Sequence, residues 1–420
     1  MQAPLVCNIK TAENTLGINM VQTPVASRNC NPISTAELER RWSATRAAMR
    51  AAGVDALVMQ GAQDFMGGYV RWFADQPALM GYPRTIIFPV EGLMTICDVG
   101  PFNGEANPDG KDPDARGVGR RVFTPSFNAT VHYTSRYDAE LVAKEIRRNG
   151  FKTVGLLCAD GSYHGMIDGI QKALDGVTFV DASEMVDQIK AIKSPEEMDS
   201  IRRSAAMQDQ ILAKVRDHIR PGMKEFEVSA YAQYIGQLLG SQQGIFLCSA
   251  ASPGRPAQFR YRFQQSRVIE KGDAFTLLIE NNGPGGYYTE LCRVITLGPA
   301  PQELKDALAL CLEAQDHTLN QLKPGASCSE IFASHNAFMR EHGLVEEKRI
   351  HCHSQGYELV ERPLIRQDET MTLKEHMHLA VHPVILNERV FMTNTDNYLI
   401  GPDGPLPCLH KTPKAIIEVV

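Results

Sequence analysis

The chain has 420 residues, 43% of them hydrophobic and 22% charged, with a formal net charge of −6. This is an ordinary globular composition, long enough for two domains. The acidic balance argues against nucleic acid or anionic lipid as a partner, and no run approaches the roughly 20 apolar residues of a membrane span.

The first 17 residues, MQAPLVCNIKTAENTLG, lack the basic start and apolar core of a secretory signal, so a cytoplasmic protein is expected. The ten cysteines, at 7, 30, 97, 158, 248, 292, 311, 328, 352 and 408, form no Cys-x-x-Cys pair. Scattered in this way, they read as reduced, mostly buried thiols rather than a structural zinc site.

Residues 1–35 are polar and irregular and read as an extended arm. Ser34 or Thr35 then caps a helix with apolar positions at Leu38, Trp42, Met49 and Ala52, Thr45 on the same face, and a stop at Gly53. VDALVMQG is a short buried strand, RTIIFPV and LMTICDV a strand pair, and TVGLLCAD (153–160) a strand after a helix at about 137–149. Strands alternating with helices predict a small α/β domain over 36–188.

Ser194, Pro195, Glu196 and Glu197 open a long helix, with an apolar stripe of Ile201, Ala205, Ile211, Leu212 and Val215. Beyond it, strands are expected at 246–250, 274–280 and 287–297, helices at about 302–322 and 327–342, and several strands after 377. The whole reads as α+β, with a second domain over 189–420. Within it, LLIENNGPGGYYTELCRVITLG (277–298) is a hairpin around Gly283-Pro284-Gly285-Gly286. The turn lacks the Gly-Lys-Ser/Thr ending of a phosphate-binding loop. Glu280 and Glu290 would nearly face each other inside the apolar strands, where mutual repulsion raises one pKa and makes an acid/base pair or a clamp for a cation.

ELERRWSATRAAMRAAGVDALVM, IKAIKSPEEMDSIRRSAAM, IRPGMKEFEV and HCHSQGYELVERP together resemble the creatinase and aminopeptidase P group of the pita-bread superfamily, over roughly 36–415. The resemblance implies a creatinase-like N-terminal domain, a pita-bread catalytic domain and a homodimer. The peptidases of that group hold two metal ions with five ligands. The matching positions are at or beside Glu280, then Glu290 (three residues before Arg293), His353, His382 and Thr395. The second histidine of the family falls at Val360, and SAASPGRPAQF lacks a further one. A neutral threonine is a poor ligand between two ions, and Asp396 would point to the opposite strand face. The paired metal centre, and peptidase activity with it, is therefore expected to be lost.

Two arrangements stay open: catalysis without metal, as in creatinase, or a single zinc, iron or manganese ion on Glu280, Glu290, His353 and His382. The expected reaction is hydrolysis of a C–N bond in a small polar compound. His353 or His382 would act as base and Glu280 or Glu290 as acid. Alternatives are a lyase of a small osmolyte such as a sulfonium compound, with a single metal ion and a glutamate, Tyr287 or Tyr288 as base, a metal-dependent Xaa-Pro peptidase, and a binding homologue. In creatinase-like proteins the stretch matching FMGGYVRWFAD (65–75) reaches the partner subunit's pocket. This makes Arg71 and Tyr69, with Trp72 or Phe73 as walls, candidate substrate contacts. Arg255, Glu361 and Arg362 are further substrate-binding candidates. His351 is a supporting residue, and His376 and His378 read as surface loop residues.

Overall fold

A computed structural model describes residues 31–62, 68–78, 81–128 and 130–419. Most of the expected arm, and residues 65–67 of the 65–75 stretch, lie outside the described residues.

The first half is built in chain order from α1 (Thr35–Ala52), β1 (Ala56–Gly61), α2 (Gly68–Ala74), β2 (Arg84–Pro89), β3 (Met94–Val99), β4 (Gly104–Ala106), β5 (Val118–Thr124), α3 (Ser135–Asn149), β6 (Thr153–Leu157), α4 (His164–Ala173), β7 (Thr178–Asp181) and α5 (Ser183–Lys190). Its strands form one mixed seven-stranded sheet, in the order β4-β5-β3-β2-β1-β6-β7. Ser34 caps α1 by accepting from Glu37 N, and Gly53 ends it in the left-handed region. Leu38, Trp42, Thr45 and Met49 are buried as the periodicity predicts, whereas Ala52 is exposed.

Helix α6 (Pro195–His218) begins with a capping box: Ser194 Oγ accepts from Glu197 N, and Glu197 returns a carboxylate to Ser194 N. All five stripe residues are buried. Then follow α7 (Glu225–Leu238), β8 (Gly244–Ala251), β9 (Ala274–Asn282), β10 (Tyr288–Leu297), α8 (Gln302–Leu319), α9 (Cys328–Glu341), β11 (Cys352–Ser354), β12 (Glu361–Leu364), β13 (His378–Val381), β14 (Val384–Leu386), β15 (Phe391–Thr393), β16 (Asp396–Gly401), β17 (Gly404–Pro405) and β18 (Ile417–Val419). They make a four-stranded sheet, β18-β10-β9-β8, a five-stranded sheet, β12-β11-β13-β16-β17, and the pair β14-β15. One face of the four-stranded sheet, through Ile279 and Leu291, packs on Ile211 of α6 and Val228 and Ile235 of α7. An isolated bridge from Cys292 to Thr395 ties it to the five-stranded sheet.

The hairpin turn needs its glycines. Gly286 N donates to Gly283 O, and Gly285 and Gly286 have φ of 96° and 90°. A Cβ on Gly283 would lie 2.2 Å from Ser204 Oγ and 2.7 Å from Ser204 Cα. Gly283→Ala is therefore expected to cost roughly 1–3 kcal/mol, because α6 must be pushed off the hairpin. An unchanged denaturant midpoint would contradict that close approach.

The eight described cysteines are unpaired, with Cys158 exposed and Cys408 half-buried. No helix of the described residues is long and apolar enough to cross a membrane.

Candidate functional site

Strand alternation decides which hairpin residues share a face. Ile279 and Leu291 point to α6 and α7, so Glu280 and Glu290 point the other way. They are register partners, directly opposite each other. Only 7% and 6% of the two residues is exposed. Like charges so placed repel, and the two carboxyls resolve this by dividing. Burial, reinforced by Glu290, pushes Glu280 well above the usual carboxylate range. Burial would also raise Glu290, but His382 and His353 outweigh it and hold Glu290 low. The two acids are thus driven apart, Glu280 toward its protonated form and Glu290 toward its ionised form.

The five-stranded sheet supplies the imidazoles. His353 on β11 donates Nδ1–H to Ser354 O at 3.0 Å, which leaves the Nε2 lone pair 3.6 Å from Glu290 Oε2. This tautomer is assigned from the hydrogen bond. His382 follows β13, its ring centroid 5.1 Å from that of His353. Burial lowers the His382 pKa, with Glu290 opposing. Ligand atoms of Glu290, His353 and His382 all lie within 4.8 Å of one another. Glu290 Oε2 and His382 Nε2 are buried without a hydrogen-bond partner among the described residues. Buried atoms left in this state mark a place where a ligand belongs. The three donors suit one divalent ion. They do not suit two: Glu280 stands outside the group, with Oε1 accepting from Gln355 Nε2 at 2.9 Å.

Thr395 is buried beside β10, its backbone paired with Cys292. Asp396 turns to the opposite side, where it bonds Arg293 at 2.7 Å and Asn394 at 2.6 Å, with His410 Nδ1 3.6 Å away. Burial would raise its pKa, but His410 and Arg293 keep it far below the usual range. Asp396, Cys408 and His410 also converge, but the Arg293 guanidinium already takes that carboxylate.

Sequence reading missed Gln355 and Asn397. Asn397 Oδ1 accepts from Glu290 N at 2.7 Å, and its Nδ2 donates to Gln355 Oε1 at 3.0 Å, which orients the amide that serves Glu280. His378 corrects an expectation. It is fully buried in β13 rather than on a surface loop, with Nδ1 on Gln355 O and Nε2 on Asn397 Nδ2. Burial lowers its pKa to about 3, so it is a neutral prop. His376, in contrast, is exposed. His351 is buried and stacked on His335 at 3.6 Å. Arg349, on the exposed stretch before β11, lowers the pKa of both acids by its charge.

The predicted substrate contacts fare differently. Arg71 is buried, donates to Gln242 Oε1 at 2.5 Å and lies over the Tyr357 ring, all within its own chain. Tyr69 donates its hydroxyl to Asp187 and carries Lys190 Nζ 4.0 Å over its ring. Trp72 and Phe73 are core. Arg255 is exposed. Glu361 and Arg362 are already engaged as structural partners. Glu361 pairs with Lys193 at 2.9 Å and Lys190 at 3.5 Å, and Arg362 with Glu369 and Glu184. Buried lysines require an anion; Glu361 serves both, and Glu358 lies 3.4 Å from Lys190 as well. Tyr287 is corrected too: its hydroxyl donates to Glu197 at 2.7 Å and accepts from Arg41 at 2.9 Å, so it is held away from proton abstraction.

Residues 199–401 match metallopeptidase family M24. The chain is 23% identical over 258 residues to the Xaa-Pro dipeptidase of Pyrococcus furiosus, covering 60% of this chain and 73% of that one. It is 28% identical over 279 residues to the creatinase of a Bacillus species, covering 62% and 67%. The fold superposes on the X-Pro aminopeptidase of Thermotoga maritima with a TM-score of 0.73 at 18% identity, over 90% of this chain and 99% of that one.

Proposed function

We propose that the chain, whose residues 199–401 match metallopeptidase family M24, is a hydrolase of the pita-bread superfamily of creatinase, aminopeptidase P and prolidase, and that it cleaves a C–N bond in a small polar non-peptide compound without a dinuclear metal centre. The observation that carries this reading is the facing acid pair, Glu280 and Glu290, buried as register partners beside His353, with the pKa of Glu280 pushed up and that of Glu290 held down; the resemblance puts Thr395 where an acid would join two ions. A two-ion site needs an anionic bridge to keep its ions roughly 4 Å apart.

In this mechanism His353 Nε2 takes a proton from water as the oxygen attacks the carbon of the scissile bond. Glu290, at 3.6 Å, stabilises the imidazolium that results. Glu280 gives its proton to the leaving nitrogen as the C–N bond breaks, and Gln355 holds Glu280 in place meanwhile. His382 walls the water. If a single divalent ion binds to Glu290, His353 and His382, it supplies Lewis acidity at the same place. An elimination is less well supported, because Tyr287 is held by Glu197 and Arg41.

The test is a screen of small amidines, cyclic amidines, amides and Xaa-Pro dipeptides, run in ¹⁸O-water with a chelator present. The expected result is turnover of a non-peptide with one ¹⁸O in the product. Turnover confined to Xaa-Pro peptides and to added metal would overturn the reading. An unlabelled product would make the enzyme a lyase.

A further inference from the structure

Asn282 ends β9 two residues past Glu280, on the same face, directly across from Tyr288. It is 1% exposed. Its Oδ1 accepts from Gln242 N at 2.9 Å and from Gln243 N at 3.0 Å. Two N–H donors on one end of the amide leave no doubt which end is oxygen. Gln242 is itself held by Arg71 through its side chain. Nδ2 therefore faces away from the 242–243 backbone, and among the described residues it has no acceptor. A buried donor left unpaired costs about 1–3 kcal/mol. Nothing in the hairpin requires that cost, since Oδ1 alone satisfies the 242–243 amides.

We propose that Asn282 Nδ2 is a specificity-determining donor that takes a carbonyl or carboxylate oxygen of the substrate, about 7 Å along the strand from the group held between Glu280 and Glu290. Because this donor belongs to the hydrolase site proposed above, it rests on that reading and narrows its substrate class: a cleavable nitrogen group at one end, an oxygen acceptor at the other. A site with a buried donor selects against an analogue lacking the oxygen, which would leave that donor unpaired.

The test is calorimetric titration of the full chain in metal-free buffer with three probes: acetamide, acetate and acetamidinium. Asn282→Asp keeps an oxygen for the 242–243 amides and removes the donor. It is expected to weaken acetamide roughly three- to tenfold and acetate at least about tenfold, leaving acetamidinium within about twofold. Glu290→Gln is expected to do the reverse, weakening acetamidinium and sparing acetamide. A wild-type crystal soaked in acetamide, with its oxygen on Asn282 Nδ2, gives the same answer should Asn282→Asp fail to fold. Equal acetamide affinity in wild type and Asn282→Asp, no acetamide binding up to about 100 mM, or acetamide bound elsewhere in the crystal overturns the proposal. Acetamidinium that ignores Glu290→Gln, with acetamide still dependent on Asn282, would instead overturn the acid-pair reading alone.

Discussion

Glu290→Gln is expected to lower kcat/KM by about a thousandfold while leaving the protein folded. The Glu290 carboxylate lies 3.6 Å from His353 Nε2. At an effective dielectric of about 20, a full charge at that distance stabilises an imidazolium by about 4–5 kcal/mol, which is about three decades in rate. Glutamine keeps the shape of the side chain, and the backbone bond from residue 290 to Asn397 is untouched. Replacing a buried carboxylate by a neutral amide also removes the cost of burying its charge, so the melting temperature should hold or rise. Steady-state kinetics on the substrate found by the screen, paired with thermal unfolding, checks this. A variant retaining more than about a tenth of wild-type activity would remove Glu290 from the mechanism.

The largest stability effect is expected at Glu361. Lys190 and Lys193 are 4% and 2% exposed, and both direct their ammonium groups to this one carboxylate. Burial works against the Glu361 charge, but Lys190 and Lys193 more than compensate and bring its pKa down to about 2. Glu361→Gln leaves two buried cations short of an anion, and breaking a buried pair in this way costs about 3–5 kcal/mol. Lys190 keeps a second partner in Glu358 at 3.4 Å, so the lower half of that range is expected. The sign with pH follows from the lowered pKa. The contribution is complete above the unfolded carboxyl's range near 4.5 and fades as pH falls from there toward 2. Denaturant unfolding of both proteins should therefore show a wide gap at pH 7 that narrows at pH 3 and below. A gap independent of pH would mean that packing, not charge, holds the segment.

Local rules were enough for the framework. Ser34 and Gly53 bound α1, Ser194 and Glu197 box the start of α6, and period-two alternation with a glycine turn sets Glu280 against Glu290. Each of these depends on neighbours a few residues away, which is why the sequence by itself determined them. It also determined, through the resemblance, which histidines to watch. Only the tertiary structure decided who those groups meet. His378 reads as a loop residue until β13 is seen running between β11 and β16. Gln355 and Asn397 carry no signal of their own, yet Asn397 reaches Glu290 across 107 residues and Gln355 reaches Glu280 across 75. Glu361 and Arg362 read as substrate-binding candidates, and the fold pairs them instead with Lys190, Lys193, Glu184 and Glu369. The physical reason is range: caps, turns and strand faces are fixed by backbone geometry over a few residues, whereas the charge state of a buried acid depends on whatever distant side chains the folded chain packs against it.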